Sequence, residues 1–244
     1  MSDEVQAVHP YVSAHTRATW SIYLLAANIV HGVVALWSGY LQLDLLNRIK
    51  DGLTVTQAEA MANDNREAIV ALVGLGLIVI TAIVFLTWIY RAHKNLGALG
   101  ARNLDFTSGW AVGWFFIPIM NLVRPYQIAE EIRAASNPEI TDPTSWEEHK
   151  ASGVIRGWWA LWILSGIAAR LSVEGSDLDG FIMATWAGLI ASLFSIGAAA
   201  LGILMIREID NRQSAKKDRL GILEGVPPLP PQPGPQTGTP PNLN

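Results

Sequence analysis

Along this chain apolar residues gather in long blocks, and charged residues are confined to the gaps between them. Residues 20–43 and 181–206 contain no Asp, Glu, Lys or Arg, and 69–89 is almost wholly aliphatic. A helix needs roughly 20 mostly apolar residues to cross the hydrocarbon core of a bilayer, so each of these blocks predicts a span. A fourth block, 157–173, is shorter and crosses only with Arg156 and Arg170 at its two ends. Helical side chains lean toward their own N-terminus. Arg156 therefore snorkels out of the membrane, whereas Arg170 is aimed back into it and needs a partner. The predicted partner is Asp44 across the bundle, or Glu174 at i+4. Thr56 with Glu59 and Ser145 with Glu148 fit the capping-box pattern. They predict polar helical turns leading into the second and third spans.

One apolar stretch does not fit a span. Residues 109–124 read GWAVGWFFIPIMNLVR; the apolar part, from Trp110 to Val123, is about 14 residues, a length expected of re-entrant or interfacial segments. Pro118 removes a helical hydrogen bond, and Asn121 places an amide where a span calls for Leu. Both flanks are basic, Arg91 to Arg102 before it and Arg124 to Arg156 after it, so a single crossing would put one flank on the wrong side. The segment is predicted to dip in and return, its break near Pro118 covered by the spans or lining a wet cavity. Pro125 then opens a helix over 125–136. Ile128, Ile132 and Ala135 form its apolar face against Glu130, Glu131 and Arg133, which predicts a helix lying along the inner membrane surface.

The reading is thus an all-α membrane protein with four transmembrane helices and a re-entrant, proline-broken segment between the second and third spans. Residues 1–17 form a polar N-terminus, 18–212 the helical membrane domain and 213–244 a proline-rich, disordered tail. With both termini inside, 13 of the 17 Lys and Arg residues fall on the inner side, and only Arg48, Lys50, Arg66 and Arg170 lie outside. The positive-inside rule therefore places both ends in the cytoplasm. The first 17 residues lack the basic start and short apolar core of a cleaved signal, so the first helix is expected to stay. Half of the chain is hydrophobic and 16% charged, which matches lipid as the solvent. The net charge of -4 with dispersed cations points away from nucleic acid. With no cysteine, disulfides and thiolate chemistry are excluded.

Two stretches carry a family resemblance: TWIYRAHKNLGALG at 87–100 and LDFTSGWAVGWFFIPIMNLVRPYQIAEEIRAAS at 104–136. They resemble the signature of a bacterial membrane-protein family, the domain of unknown function DUF4328. Ser108 stands where that family has proline, and Val123 where tryptophan is frequent. The resemblance implies a multi-pass protein of the bacterial inner membrane and implies no activity, cofactor or metal.

Candidate chemistry is sparse. Asn28 and His31 share one face of the first span, and polar residues at that depth are functional candidates; hydrogen bonding between helices accounts for them equally. Trp110, Trp114 and 158–162 crowd the inner side, either as an interfacial belt or as the wall of a vestibule around Pro118, Asn121 and Arg124. The pairs Glu130–Glu131 and Glu147–Glu148 read as solvated faces. The last span carries small residues at Ala184, Gly188, Ala191, Ser195, Ala198 and Gly202, a seam for packing within the chain or for a homo-oligomer. No hydrolase, nucleotide-binding or metal-site motif occurs, so no catalytic residue is assigned.

Two functions fit. The favoured one is a non-enzymatic scaffold or regulatory interaction protein that offers an inner-face platform, and its tail, to a protein partner beside the lipid bilayer. The alternative is a small channel or transporter with its polar site at the broken segment. A wet cavity joining Asn121 to His31 favours transport, and a dry, sealed core favours the platform. The threading itself is testable because the chain has no thiol of its own. Thr54→Cys is expected to react with an impermeant maleimide in intact cells, and Val8→Cys and Thr237→Cys only after the membrane is opened.

Overall fold

The computed structural model describes residues 9–149, 151–173 and 175–226. Among them every regular element is helical: α1 (His15–Lys50), α2 (Gln57–Ala98), α3 (Trp110–Gly113), α4 (Arg124–Ala135), α5 (Gly153–Leu171) and α6 (Leu178–Arg219), with short 3-10 turns between some of them. The capping box at Thr56 is formed: Thr56 Oγ1 accepts from Glu59 N, and the Glu59 carboxylate accepts from Thr56 N. Asp177 caps α6 by accepting from Gly180 N at 2.8 Å. At 42 residues each, α2 and α6 are about 63 Å long, some twice the thickness of a hydrocarbon core. Their apolar middles therefore account for only part of each helix. By length and composition α1, α2 and α6 can each cross a membrane; α5, with 19 residues, is not among these three.

The long helices pack as neighbours in the order α2, α1, α6, α5. Small residues set the close approaches. A Cβ on Gly32 would lie 2.6 Å from Ile196, on Gly39 2.8 Å from Leu189, and on Gly157 2.8 Å from Leu201. These fixed spacings lock α1 antiparallel to α6, and α6 antiparallel to α5. The small-residue seam of α6 is used inside the chain: Ala184, Ala191, Ala198 and Gly202 are buried, and Gly202 faces Leu25 and Trp158.

The tightest packing lies at one end, where α1 begins and α2 and α6 finish. Here Trp88, Ile89 and Leu96 of α2 meet Ile128 and Ile132 of α4 and Met205, Ile206 and Ile209 of α6, all essentially without exposure. Gly100, at φ +86°, ends α2 in a turn that sends the Ala101 N–H back to the Leu96 carbonyl at 3.0 Å. Burial, with the nearby carboxylates Asp210 and Glu224, pushes the Tyr11 phenol up to about 12.

Several expectations are corrected in this region. The helix over 125–136 is not laid along a surface: Pro125, Ala129, Ala134 and Ala135 are buried together with Glu130 and Glu131. Those two acids are not a solvated face. Glu131, with no exposure, accepts from the Asp105 amide at 2.6 Å and from His93 Nε2 at 2.9 Å, and His93 Nδ1 lies 3.1 Å from the Ser108 hydroxyl. Glu130 accepts from Ser152 N at 3.1 Å. Alternation along a helix cannot foretell this, because the partners come from α2 and from the loops on either side of α4. Ser145 opens only a 3-10 turn, Ser145–His149, while α5 starts at Gly153 with Ser152 as its cap. Residues 213–219, assigned above to the tail, continue α6. Gln213 is buried against the Ala92 carbonyl at 2.8 Å, and Lys216 donates to the Ala135 carbonyl at the end of α4 at 2.8 Å; burial lowers the pKa of that ammonium. Residues 220–226 of that tail are also held, with Gly225 N donating to Tyr11 O at 2.9 Å, and 227–244 lie outside the described residues.

A buried acid stripped of one partner leaves an uncompensated group in a dry site. Glu131→Ala removes the acceptor that His93 Nε2 and the Asp105 amide share, and is expected to destabilise the fold by about 3 kcal/mol. Glu131→Gln keeps the size and one acceptor and is expected to lose less. Sodium dodecyl sulfate titration of the protein in mixed micelles measures both.

Candidate functional site

The segment expected to dip between the second and third spans is built from four pieces. Helix α3 is followed by a 3-10 turn, Trp114–Phe116, then by extended Ile117 before Pro118, and by a second 3-10 turn, Met120–Leu122. Proline cannot donate, so the ladder breaks there. It restarts with Asn121 N donating to Ile117 O at 2.7 Å. From its far side Trp159 of α5 donates through Nε1 to Leu122 O at 2.9 Å, satisfying a carbonyl at the end of the second 3-10 turn that Pro125, with no N–H, cannot serve.

This segment closes one end of a groove. Helices α2 and α5 flank the row and hardly touch each other, so a cleft of about 300 Å³ remains between them. Its floor is α1 and α6; its walls are aromatic, with Phe85 facing Trp158 at 6.0 Å and Phe115 at 6.3 Å. Trp159 stacks on Trp162 with ring centroids 4.7 Å apart. Set into these walls are Asn28, Thr81, Asn121, Ser165 and Ser195. Asn28 Nδ2 donates to Thr81 Oγ1 at 2.8 Å and to Leu24 O at 2.8 Å. The Asn121 side chain makes no hydrogen bond among the described residues, and its Oδ1 is buried. No lining side chain is ionisable.

Of the sequence candidates, Asn28 and Asn121 come together here. His31 does not. It faces α2, with Nε2 2.9 Å from the Val70 carbonyl and its ring against Gly74. That is the inter-helix bonding considered above, and it is one step of a polar seam along α1 and α2 that continues from Asn28–Thr81 to Ser38, which donates to Glu67. Trp110 and Trp114 pair at 4.8 Å outside the groove. Arg124 lies over Trp114 at 5.5 Å and over Phe106 at 5.6 Å, forming an aromatic and cationic rim. Pro118 supplies the break. Asp44 is paired with Arg48 at 3.5 Å on its own helix, instead of with Arg170. The alternative pairing of Arg170 with Glu174 lies outside the described residues.

The sequence reading missed Thr81, Phe85, Phe115, Ser165 and Ser195. Thr81 left a signal, since it is a hydroxyl within an otherwise aliphatic run. Ser195 looked like one more small residue of a packing seam. Among the described residues no group of three His, Asp or Glu side chains is placed to hold a metal ion.

The family model for a domain of unknown function (DUF4328) matches residues 51–211, which include α2 to α5, the broken segment and most of α6. No curated protein and no solved structure matches the chain.

The His31 contact is testable by a matched pair of substitutions. A Cβ on Gly74 would sit 2.6 Å from His31 Cε1, whereas one on Gly76 meets nothing within 4 Å. Relative to Gly76→Ala, Gly74→Ala is expected to lower stability by about 1–2 kcal/mol, by forcing the ring off the Val70 carbonyl. Combining it with His31→Ala is expected to remove most of the difference.

Proposed function

The chain belongs to the family defined by the domain of unknown function DUF4328, and from that premise we propose that it is a non-enzymatic membrane regulator that binds a membrane-dissolved molecule in the α2–α5 groove. In this reading α5 is a fourth crossing. It runs beside the apolar middle of α6, with Gly157 at Leu201, Leu161 at Gly197 and Ser172 at Gly188. Residues 109–124 re-enter from the inner face: Phe115 reaches Phe85, Asn121 shares the groove with Thr81, and Phe116, Ile119 and Val123 present apolar surface suited to lipid. Both termini are cytoplasmic, at the inner membrane of a bacterial cell. The packed end around α4, with the Trp110, Trp114 and Arg124 rim, is then the inner-face platform for a protein partner.

The observation that carries this reading is the Asn121 amide. It borders a cleft with aromatic walls, has no hydrogen-bond partner among the described residues and has its Oδ1 buried. A buried polar group left unpaired is costly unless something outside the chain completes it. Occupation of the groove would also touch the joint between Trp159 and Leu122, a direct mechanical link from groove to broken segment and so to the platform.

A transport role is the second reading, favoured by the polar seam along α1 and α2. The groove lacks His31, which weighs against it. In proteoliposomes, a transporter gives wild-type flux above that of empty liposomes, lost in Asn121→Leu.

The binding role is tested by extracting the full chain in native-membrane particles and profiling co-purified small molecules by mass spectrometry. Wild type is expected to retain a compound enriched at least about tenfold over bulk membrane, a preference of roughly 1.4 kcal/mol. Trp162→Ala and Asn121→Leu are expected to lose it. Equal profiles in all three would overturn the reading.

A further inference from the structure

The groove also has a hydrogen-bond inventory. Thr81 Oγ1 donates to Leu77 O at 2.7 Å and accepts from Asn28; Ser165 donates to Trp162 O at 2.8 Å; Trp159 Nε1 is held by Leu122 O. Asn28 has committed Nδ2 to Leu24 O and Thr81 Oγ1. Its Oδ1 accepts nothing among the described residues. Five polar groups are therefore left over among the described residues: the Asn28 acceptor, the Asn121 amide, the Ser195 hydroxyl and the indole N–H groups of Trp158 and Trp162. An amide can turn to present either end, and Asn121 has no bond to break in doing so.

Resting on the groove as the binding site, we infer that its occupant is a neutral amphiphile that carries a hydroxyl group into the cleft and leaves its apolar body along the aromatic walls and in the lipid between α2 and α5. The Asn28 acceptor is open to a donor from the ligand. The Asn121 amide accepts or supplies the complementary bond. A hydroxyl does both, whereas a ketone or ester oxygen leaves Asn28 unmet. A carboxylate or phosphate would have to shed its water in a site without one cationic side chain, which is penalised by several kcal/mol per ion. Arg124, the cation nearest in sequence to Asn121, is occupied above Trp114 and Phe106 and does not line the cleft. A cationic amine is excluded by the same absence of a counter-charge. The volume of about 300 Å³ takes the head and the first part of a chain or ring system, not a whole lipid. The rest leaves sideways, through the gap where α2 and α5 hardly touch.

The test uses three probes with one bromine-labelled chain in phosphatidylcholine proteoliposomes of the full protein: 9,10-dibromooctadecan-1-ol, 9,10-dibromooctadecane, and 9,10-dibromooctadecanoate at pH 8. Bromine quenches tryptophan on contact, and the groove signal is the quenching lost in a Trp159→Phe, Trp162→Phe variant. The alcohol is expected to saturate that signal at a mole fraction at least about tenfold below that of the alkane, with the carboxylate weaker than the alcohol. Asn121→Leu is expected to bring the alcohol within about twofold of the alkane and to leave the alkane unchanged, which also shows that the variant is folded with an open groove. Equal saturation by alcohol and alkane in wild type, or tighter binding of the carboxylate, would overturn the hydroxyl assignment while leaving the groove as a site. No saturable quenching by any probe would instead remove the groove reading itself.

Discussion

Glu131 is a carboxylate with no exposed surface, and its burial is tolerable only while His93 and the Asp105 amide both hold it. This small network ties together three parts of the chain: the end of α2, the middle of α4, and the loop that leads to α3. Because the Asp105 amide and the Ser108 hydroxyl both belong to that loop, satisfying Glu131 also aims the chain that follows. The broken segment therefore leaves from a fixed point beside α2. It returns to a second fixed point, where Arg124 and Pro125 begin the buried α4. Both of its ends are tethered to one rigid body, so a proline break in its middle costs little order.

The cleft follows from uneven packing. Gly32, Gly39, Gly157 and Gly197 bring α1, α6 and α5 into close apposition, while α2 is held to α1 by polar contacts, Asn28 to Thr81, His31 to Val70 and Ser38 to Glu67. Between α2 and α5 the backbones stand apart, bridged by the Phe85–Trp158 ring pair. Three tight seams and one missing seam leave a gap on one side only, and the broken segment stoppers that gap at the packed end with Phe115 and Asn121. Trp159 is what couples stopper to wall, because its indole N–H satisfies the Leu122 carbonyl, which Pro125, having no N–H, cannot serve.

Much of this was legible residue by residue. The apolar blocks marked the helices, because the period and length needed to face lipid are properties of a local run of residues. Thr56 and Glu59 announced the start of α2, since both halves of a capping box lie within four positions of the chain. Asn121 and Pro118 stood out because each is anomalous in its own neighbourhood. Glu130 and Glu131, by contrast, look solvated in any local reading, since charge on a short amphipathic helix ordinarily faces water. The start of α5 slipped from Ser145 to Ser152 because both serines carry the same cap chemistry, and packing of α5 against α6 chose between them.

By itself the sequence determined the helical class, the number and extent of the long apolar runs and the site of the break, all consequences of solvent preference and backbone chemistry acting over a few turns. Tertiary structure alone decided that α4 is enclosed, that His93 rather than water answers Glu131, that Asp44 pairs along its own helix, and that Asn28 and Asn121, some ninety positions apart, border one cleft from which His31 is turned away. The physical reason is that a buried polar group takes whichever partner the packing brings within about 3 Å, and that distance is set between helices, where no local pattern records it.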